Sequence, residues 1–280
     1  MAAPPASKRA AVLGFPVAHS LSPALHRAAY AALGLSGWTY EAIECREADL
    51  PALLDVCTRD SAPVPWAGLS LTMPLKRAVL PLLDEVSDLA VAVGGANTVT
   101  FRGDRRVGDN TDVYGIVTAL AEGGIGAPSS ALVLGGGATA CSALAALRDL
   151  GLPKATLVVR DPARAGAASA AAGRLGVAVT VRTLAELADL LPVELVVSTL
   201  PKGAADPYAA LIAASGAAVF DVVYAPWPTP LGAAVAAAGG VVVGGFPMLL
   251  HQAVRQVELM TGHDDVPVAA MRAAGERALA

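Results

Sequence analysis

The chain has 280 residues, 55% of them apolar, enough to bury one large core or two modest ones. Its 20 basic and 24 acidic residues leave a net charge of -4 with no run of Lys or Arg, which removes the electrostatic case for a nucleic-acid partner. Charged residues are sparse at 16%, but Gly and Pro are spread through the chain as turn punctuation, which argues against disorder except at the ends.

Three cysteines, Cys45, Cys57 and Cys141, lie far apart and form no CxxC, which fits a reducing compartment and no structural zinc. The opening stretch, MAAPPASKRAAVLGFPVAHS, does not read as a signal peptide. Its apolar run after Lys8 and Arg9 is short and broken by Pro16 and His19.

Short β-rich runs alternate with Ala/Leu helical patterns, which implies βαβ units around a parallel sheet. A strand is expected over 10–14, then a helix over 23–33 that Gly34 ends. Strands follow over 38–43 and 66–71. An antiparallel pair, 96–101 and 106–109, flanks a turn at Gly103 and Asp104. From Asp112 the rhythm is more regular. Helix 113–122 closes at Gly123 and Gly124, and strand 131–134 runs into Gly135, Gly136 and Gly137. The next helix carries Leu144, Leu147 and Leu150 on one side and stops at Gly151 and Pro153, before strand 156–159. Further strands are expected at 178–181, 195–198, 218–222 and 241–243, all short and uniformly apolar, as in strands covered on both faces.

Residues 222–250 carry no charge, yet prolines and glycines interrupt the roughly 20 apolar residues that a membrane helix needs. They read instead as two buried strands around a helix in a cytoplasmic protein. The tail, 248–280, is helical in pattern and is expected to fold back on the first domain. The expected division is an α/β domain over 1–112, completed by 247–280, and a second domain over 113–246.

Gly135-Gly136-Gly137-Ala138-Thr139-Ala140 follows a strand and opens a helix, where a glycine turn lets backbone N–H groups approach a pyrophosphate. Gly135 and Gly137 fill the first two glycine positions of the dinucleotide fingerprint, and Ala140 takes the third. A tight turn with no ligand is the plain alternative. The next strand ends at Val159-Arg160-Asp161-Pro162-Ala163-Arg164. Arg160 and Arg164 suit the 2′-phosphate of NADP. Asp161 suits the ribose hydroxyl of NAD, or caps the helix before Pro162. NADP is the first choice and NAD the second.

His19-Ser20-Leu21-Ser22-Pro23 lies between a strand and a helix. Ser22 reads as an N-cap and Pro23 as the first helical residue, and two hydroxyls beside a helix N-terminus suit a carboxylate. In Thr72-Met73-Pro74-Leu75-Lys76, Thr72 reads as a cap and Pro74 as a helix start. Lys76 then sits in the first turn, where a cation opposes the dipole. Asp112 opens a helix, and Asn97 lies in the turn Gly94-Gly95-Ala96-Asn97-Thr98. Each has an ordinary structural role. What they share is a place after strand ends, where open α/β sheets put ligands. His19, His26 and His251 read as helix-packing or surface groups and His263 as a turn residue. No pair has metal spacing, so no metal is expected. No G-x-S-x-G pattern surrounds Ser20 or Ser22, which counts against a Ser/Lys hydrolase.

Gly14-Phe15-Pro16 with His19-Ser20-Leu21-Ser22-Pro23, Leu71-Thr72-Met73-Pro74-Leu75-Lys76, Gly95-Ala96-Asn97-Thr98, Asn110-Thr111-Asp112 with Tyr114-Gly115, Asp221-Val222-Val223-Tyr224-Ala225-Pro226 with Thr229-Pro230, and Met248-Leu249 with Gln252-Ala253 together resemble the ordered motifs of the shikimate dehydrogenase family. The resemblance implies an N-terminal α/β substrate domain, a Rossmann-type dinucleotide-binding domain and a cleft between them. The implied activity is reversible NADPH-dependent reduction of 3-dehydroshikimate to shikimate, in aromatic amino-acid biosynthesis. By the same resemblance Ser20 and Ser22, helped by Tyr224, bind the substrate carboxylate. Thr72, Asn97, Asp112 and Gln252 hold ring hydroxyls, and Lys76 and Asp112 are the catalytic residues. The implied cofactor contacts are Gly135, Gly136, Gly137, Ala138, Thr139, Ala140, Arg160, Arg164, Thr199, Val222 and Gly245.

The chain departs from the family pattern at Ala138 (usually Gly), Val159 (Asn), Asp161 (Thr) and Ser70 (commonly Asn). The first three bear on cofactor preference and leave Lys76 and Asp112 untouched. The rival readings are an NAD-dependent quinate/shikimate dehydrogenase, supported by Asp161, and a catalytically silent shikimate-binding regulator, opposed by Lys76 and Asp112. The expected partners are the small-molecule substrate and cofactor, with no nucleic acid or membrane, in a monomer or homodimer.

Overall fold

A computed structural model of the chain describes residues 7–58 and 64–280; the first six residues of the opening stretch considered above lie outside the described residues. The chain divides into two compact units, Met1–Thr111 with Gln252–Ala280, and Asp112–His251. The first contains β1 (Lys8–Gly14), α1 (Ser22–Ala32), β2 (Trp38–Glu44), α2 (Leu50–Thr58), β3 (Trp66–Leu71), the one-turn α3 (Leu75–Ala78), β4 (Glu85–Val86), α4 (Asp88–Val93), β5 (Thr98–Arg102) and β6 (Arg105–Asp109). The second contains α5 (Asp112–Glu122), β7 (Ala131–Leu134), α6 (Ala138–Asp149), β8 (Lys154–Val159), α7 (Gly166–Leu175), β9 (Ala178–Thr183), α8 (Leu187–Leu190), β10 (Leu195–Ser198), α9 (Ala209–Ala214), β11 (Ala218–Asp221), α10 (Pro230–Ala237) and β12 (Val242–Val243). Helix α11 (Gly245–Thr261) passes from the second unit into the first, and α12 (Val268–Leu279) belongs to the first and packs on α1.

The first unit is built on a six-stranded sheet in the order β2-β1-β3-β5-β6-β4. β1 is parallel to both β2 and β3, whereas β3 and β6 each run antiparallel to β5. β3 is buried along its whole length, and Leu69 and Leu71 join Leu13, Leu54, Leu75 and Val99 in one core. Gly68 lets α11 approach the sheet, because a Cβ there would lie 2.8 Å from Met260 Cγ. The chain order around β1 reverses between β2 and β3, so the carboxyl ends of β1 and β3 form a topological switch point. The antiparallel steps bring the start of β5 and the end of β6 to that same end, as the register Ser70–Thr98–Asp109 shows.

The second unit carries a wholly parallel six-stranded sheet in the order β12-β11-β10-β7-β8-β9. This is the doubly wound order of Rossmann-type domains, and its switch point lies between β7 and β10. Both strands are buried at every residue: β7 is wholly apolar, and β10 is apolar up to its last residue, Ser198.

Several sequence expectations need correction. β9 is not covered on both faces; as an edge strand paired only with β8, it alternates half-buried and exposed residues. The two strands expected around a helix near 222–250 are β11, which ends at Asp221, and β12, with α10 between them; α11 starts at Gly245 rather than Met248. No described helix is long and apolar enough to cross a membrane. α2 and α4 have no counterpart among the expected elements. α4 has ordinary ends all the same: the Ser87 side chain accepts from Ala90 N–H, and Gly94 closes the helix at φ 79°.

His26 lies fully buried in α1, its ring stacked on Tyr40 at 3.9 Å between centroids. Its Nδ1 lies 3.0 Å from the Ser22 carbonyl, which can only accept, so Nδ1 carries the hydrogen and Nε2 is a bare acceptor. Nε2 has no hydrogen-bond partner. Burial therefore pulls the His26 pKa from 6.5 down to about 4, with the Ser22 bond opposing the shift. The folded pKa is below the unfolded one, so the stability from keeping His26 neutral is present in full above pH 6.5. It is lost as pH falls towards 4. At roughly 1.4 kcal/mol per unit, the loss amounts to about 3 kcal/mol. Urea unfolding of wild type and His26→Phe at pH 7.5 and pH 4.5 tests this: the wild type should lose markedly more stability than the variant, and equal losses would contradict it.

Candidate active site

Ser20 and Ser22 occupy the turn between β1 and α1, at the switch point of the first sheet. The capping role expected of Ser22 is not observed, since α1 has no side-chain cap. The helix already begins at Ser22, after Leu21, and it is the Ser20 Oγ that accepts from the Ser22 N–H, at 3.3 Å. Ser22 is buried and Ser20 half-buried. The loops after β1 and β3 are laced together by Thr72 N–H donating to Leu13 O (2.9 Å) and Phe15 N–H to Met73 O (3.0 Å). Gly14 makes that approach feasible, since any Cβ there would overlap the Thr72 methyl.

Lys76 follows in α3, which has a single turn and no side-chain cap. Thr72 contributes its backbone carbonyl to Leu75 N–H (2.9 Å) instead of a capping hydroxyl. So short a helix has almost no dipole for Lys76 to oppose, and that electrostatic argument falls away. The Lys76 backbone is fixed from the other side by Ala96 N–H donating to its carbonyl at 2.8 Å.

Asn97 is 1% exposed and is the most heavily bonded of the expected residues. Its N–H donates to Asp109 O (3.0 Å) and its carbonyl accepts from Leu71 N–H (2.7 Å), tying β6 and β3 to the start of β5. Its side-chain Oδ1 accepts from Thr111 N–H at 2.8 Å and from the Thr98 hydroxyl at 2.9 Å. Its Nδ2 donates to Thr111 Oγ1 (2.9 Å) and to Gln252 Oε1 on α11 (3.3 Å). The structure thus joins Asn97 and Gln252 directly, 155 residues apart in sequence. Asn110 steadies the same turn through Nδ2 donating to Gly95 O at 2.8 Å.

In the second unit, Asp112 is buried at the first residue of α5, where the helix N-terminus favours a carboxylate. Tyr224 lies half-buried beyond β11, and desolvation holds its hydroxyl above the ordinary value of 10, so it remains a neutral donor. The sequence motif offered no role for Asp221 beside it. Asp221 is buried and raised above the usual carboxylate range by desolvation, opposed by bonds from the Thr229 hydroxyl (2.8 Å) and Val223 N–H (3.3 Å). Thr229 also accepts from Gly232 N–H, so this pair anchors the loop to the start of α10.

The glycine turn sits at the switch point of the second sheet. Gly135 has φ 109°, and a Cβ there would lie 2.5 Å from Thr199 Oγ1. Thr199 follows β10 and donates its hydroxyl to Leu134 O at 2.8 Å, closing β7 and β10 together. A Cβ on Gly136 would meet the Arg164 carbonyl at 2.6 Å. Gly137 differs: it meets no protein atom within 4 Å, adopts an extended backbone and leads into α6, which has no side-chain cap. The protein itself gives no reason for glycine at that position, while an approaching pyrophosphate does. Ala138 and Thr139 are half-buried in the first turn of α6, and Ala140 is buried.

Arg160 and Arg164 are both exposed after β8. Asp161 caps the following turn, its Oδ1 accepting from Ala163 N–H at 3.0 Å. Gly245 and Val222 touch, for a Cβ on Gly245 would overlap the Val222 carbonyl. The bare helix N-terminus, the open Gly137 and two exposed guanidinium groups form a donor set that fits a phosphorylated dinucleotide.

A doubly wound unit with a glycine turn at its switch point, joined in one chain to a second α/β unit, defines a Rossmann-type two-unit protein. The family model for the shikimate dehydrogenase substrate binding domain matches residues 12–99, and that for the shikimate 5′-dehydrogenase C-terminal domain matches 245–274. A curated shikimate dehydrogenase (NADP(+)) from Synechococcus sp. (strain JA-3-3Ab) is 35% identical, over 96% of this chain and 93% of its own. Among solved structures, shikimate dehydrogenase of Mycobacterium tuberculosis is 44% identical with a TM-score of 0.87, covering 96% of this chain and 99% of that one. Shikimate 5-dehydrogenase of Thermus thermophilus, in complex with NADP(H) and shikimate, is 37% identical with a TM-score of 0.82, covering 97% and 100%. Quinate dehydrogenase of Corynebacterium glutamicum, in complex with NAD, is 32% identical with a TM-score of 0.86, covering 97% and 99%. The chain belongs to the shikimate dehydrogenase family.

The two glycines predict opposite outcomes. Gly136→Ala should lower the thermal midpoint, because the Arg164 backbone must move. Gly137→Ala should leave it unchanged and weaken dinucleotide binding by an order of magnitude or so. Thermal melting with and without NADP+ checks both, and undiminished NADP+ stabilisation of Gly137→Ala would count against a pyrophosphate there.

Proposed function

We propose that the protein is a shikimate dehydrogenase that uses NADP, interconverting the ring C–OH of shikimate and the ketone of 3-dehydroshikimate. The observation that carries this reading is similarity, over nearly the whole length of both chains, to proteins bearing that name. When bound, the nicotinamide supplies the hydride chemistry. The residues of this chain would hold the substrate and handle the proton. Ser20 and Ser22, at the N-terminus of α1, would receive the substrate carboxylate, helped by the neutral hydroxyl of Tyr224. Thr72, Asn97, Asp112 and Gln252 would hold the ring hydroxyls. The Lys76 ammonium would stabilise the developing alkoxide and give it a proton, with the Asp112 carboxylate as the matching negative charge.

NADP is favoured over NAD because Asp161 is engaged as a turn cap, whereas both guanidinium groups beside it are exposed. The quinate reading retains one support, the likeness to a quinate dehydrogenase. A reducing, cytoplasmic setting is supported by Cys45, Cys57 and Cys141, all buried and none of them in a disulfide.

Acid–base assistance contributes about 10²–10⁴-fold, so Lys76→Ala should lose that much kcat with little change in shikimate KM. Near-normal turnover would remove Lys76 from the mechanism. Charge-assisted hydrogen bonds contribute ~1.5–3 kcal/mol, so replacing Arg160 and Arg164 by Ala should raise the NADP+ KM about 10- to 100-fold and leave that for NAD+ unchanged. Equal effects on both cofactors would contradict the 2′-phosphate assignment.

A further inference from the structure

Ser70 is a polar residue in the middle of buried β3, 3% exposed between the core residues Leu69 and Leu71. It belongs to a continuous buried chain. Tyr40 Oη lies 2.7 Å from Ser70 Oγ, and Ser70 Oγ lies 2.8 Å from Oε1 of Gln256 on α11. Gln256 Nε2 donates to Asn97 O and Thr98 Oγ1, both at 3.2 Å, and Thr98 Oγ1 lies 2.9 Å from Asn97 Oδ1.

Two backbone groups fix its direction, because they cannot exchange roles. The Asn97 carbonyl can only accept, so Gln256 turns its NH2 towards it and its Oε1 towards Ser70. That Oε1 can only accept, so Ser70 must donate to it, and Tyr40 must donate to Ser70. At the far end the Thr111 backbone N–H can only donate, so Asn97 turns Oδ1 towards it and Nδ2 towards Gln252 Oε1. The Asn97–Gln252 bond, at 3.3 Å, is long for an N–H···O bond, and a ligand oxygen could take its place.

We propose that Tyr40, Ser70 and Gln256 are positioning residues that lock Asn97 and Gln252 as hydrogen-bond donors. This part of the site then selects a substrate oxygen that can accept, such as a ring hydroxyl. The proposal rests on the functional reading above, which places substrate at Asn97 and Gln252. Neither Ser70 nor Tyr40 touches the reacting atoms, so their loss affects substrate affinity and not the chemical step. Ser70→Ala leaves Gln256 Oε1 without its donor. Tyr40→Phe keeps the ring stacked on His26 and removes only the far end of the chain.

The test is steady-state oxidation of shikimate by NADP+ with the full-length wild type, Ser70→Ala and Tyr40→Phe, with thermal midpoints measured alongside. The shikimate KM should rise about tenfold in Ser70→Ala and about threefold in Tyr40→Phe, the range expected for one net hydrogen bond. kcat and the NADP+ KM should stay at wild-type values. Lower midpoints with an unchanged shikimate KM would show a purely structural chain and overturn the proposal. If Ser70→Ala does not fold, Tyr40→Phe decides by the same criterion. Calorimetric titration of shikimate separates the two levels of the argument. Wild type that binds shikimate without oxidising it defeats the functional reading and leaves the Kd ratio of the variants to judge the positioning role. Wild type that does not bind shikimate defeats both.

Discussion

Water does not reach the side chain of Asn97, and the local architecture of the first unit follows from that restriction. Each of its polar groups must find a protein partner or leave an unmet bond costing about 1–3 kcal/mol. The partners come from the end of β6, from Thr111 beyond it, from Thr98 and from α11. Satisfying one residue therefore sets the positions of three segments that are distant in sequence. It also decides which way the amide faces. A buried polar network of this kind is worth having only when complete, because the low dielectric that strengthens its bonds also penalises any left unmade.

Both units use the same topological device. In the first sheet the chain reverses its order around β1, in the second around β7, and in each case two neighbouring parallel strands send their following loops apart. The opening left at their carboxyl ends is bordered by the N-terminus of a helix, α1 in one unit and α6 in the other. A carboxylate suits the first, flanked by Ser20 and Ser22. A pyrophosphate suits the second, where Gly137 keeps side chains out of the way.

Much of this was legible in the sequence because its physical signals are local. The buried strand β7 announces itself as an unbroken apolar run, β3 and β10 as apolar runs that each carry one serine, and the glycine turn as a cluster between a strand and a helix. β9 misled because an edge strand can carry the same apolar letters as a central one, and only pairing tells them apart. Ser22 misled because a one-residue shift in the helix start moves it from the cap to the first helical position. Lys76 looked strained against a dipole that a one-turn helix does not possess. Gln256 gave no local signal at all. Its meaning depends on Ser70, 186 residues away, and on a β-sheet register that no spacing rule reports.

The central claim is that this arrangement oxidises a hydroxylated ring acid with NADP+. The most direct test is the initial rate of nicotinamide reduction by the purified protein, with shikimate and quinate each crossed against NADP+ and NAD+. The account predicts rapid turnover with shikimate and NADP+ and much slower turnover in the other three combinations. A preference for NAD+ or for quinate would contradict the assignments at Arg160 and Arg164 or at the ring hydroxyls. No turnover in any combination would contradict the catalytic roles given to Lys76 and Asp112.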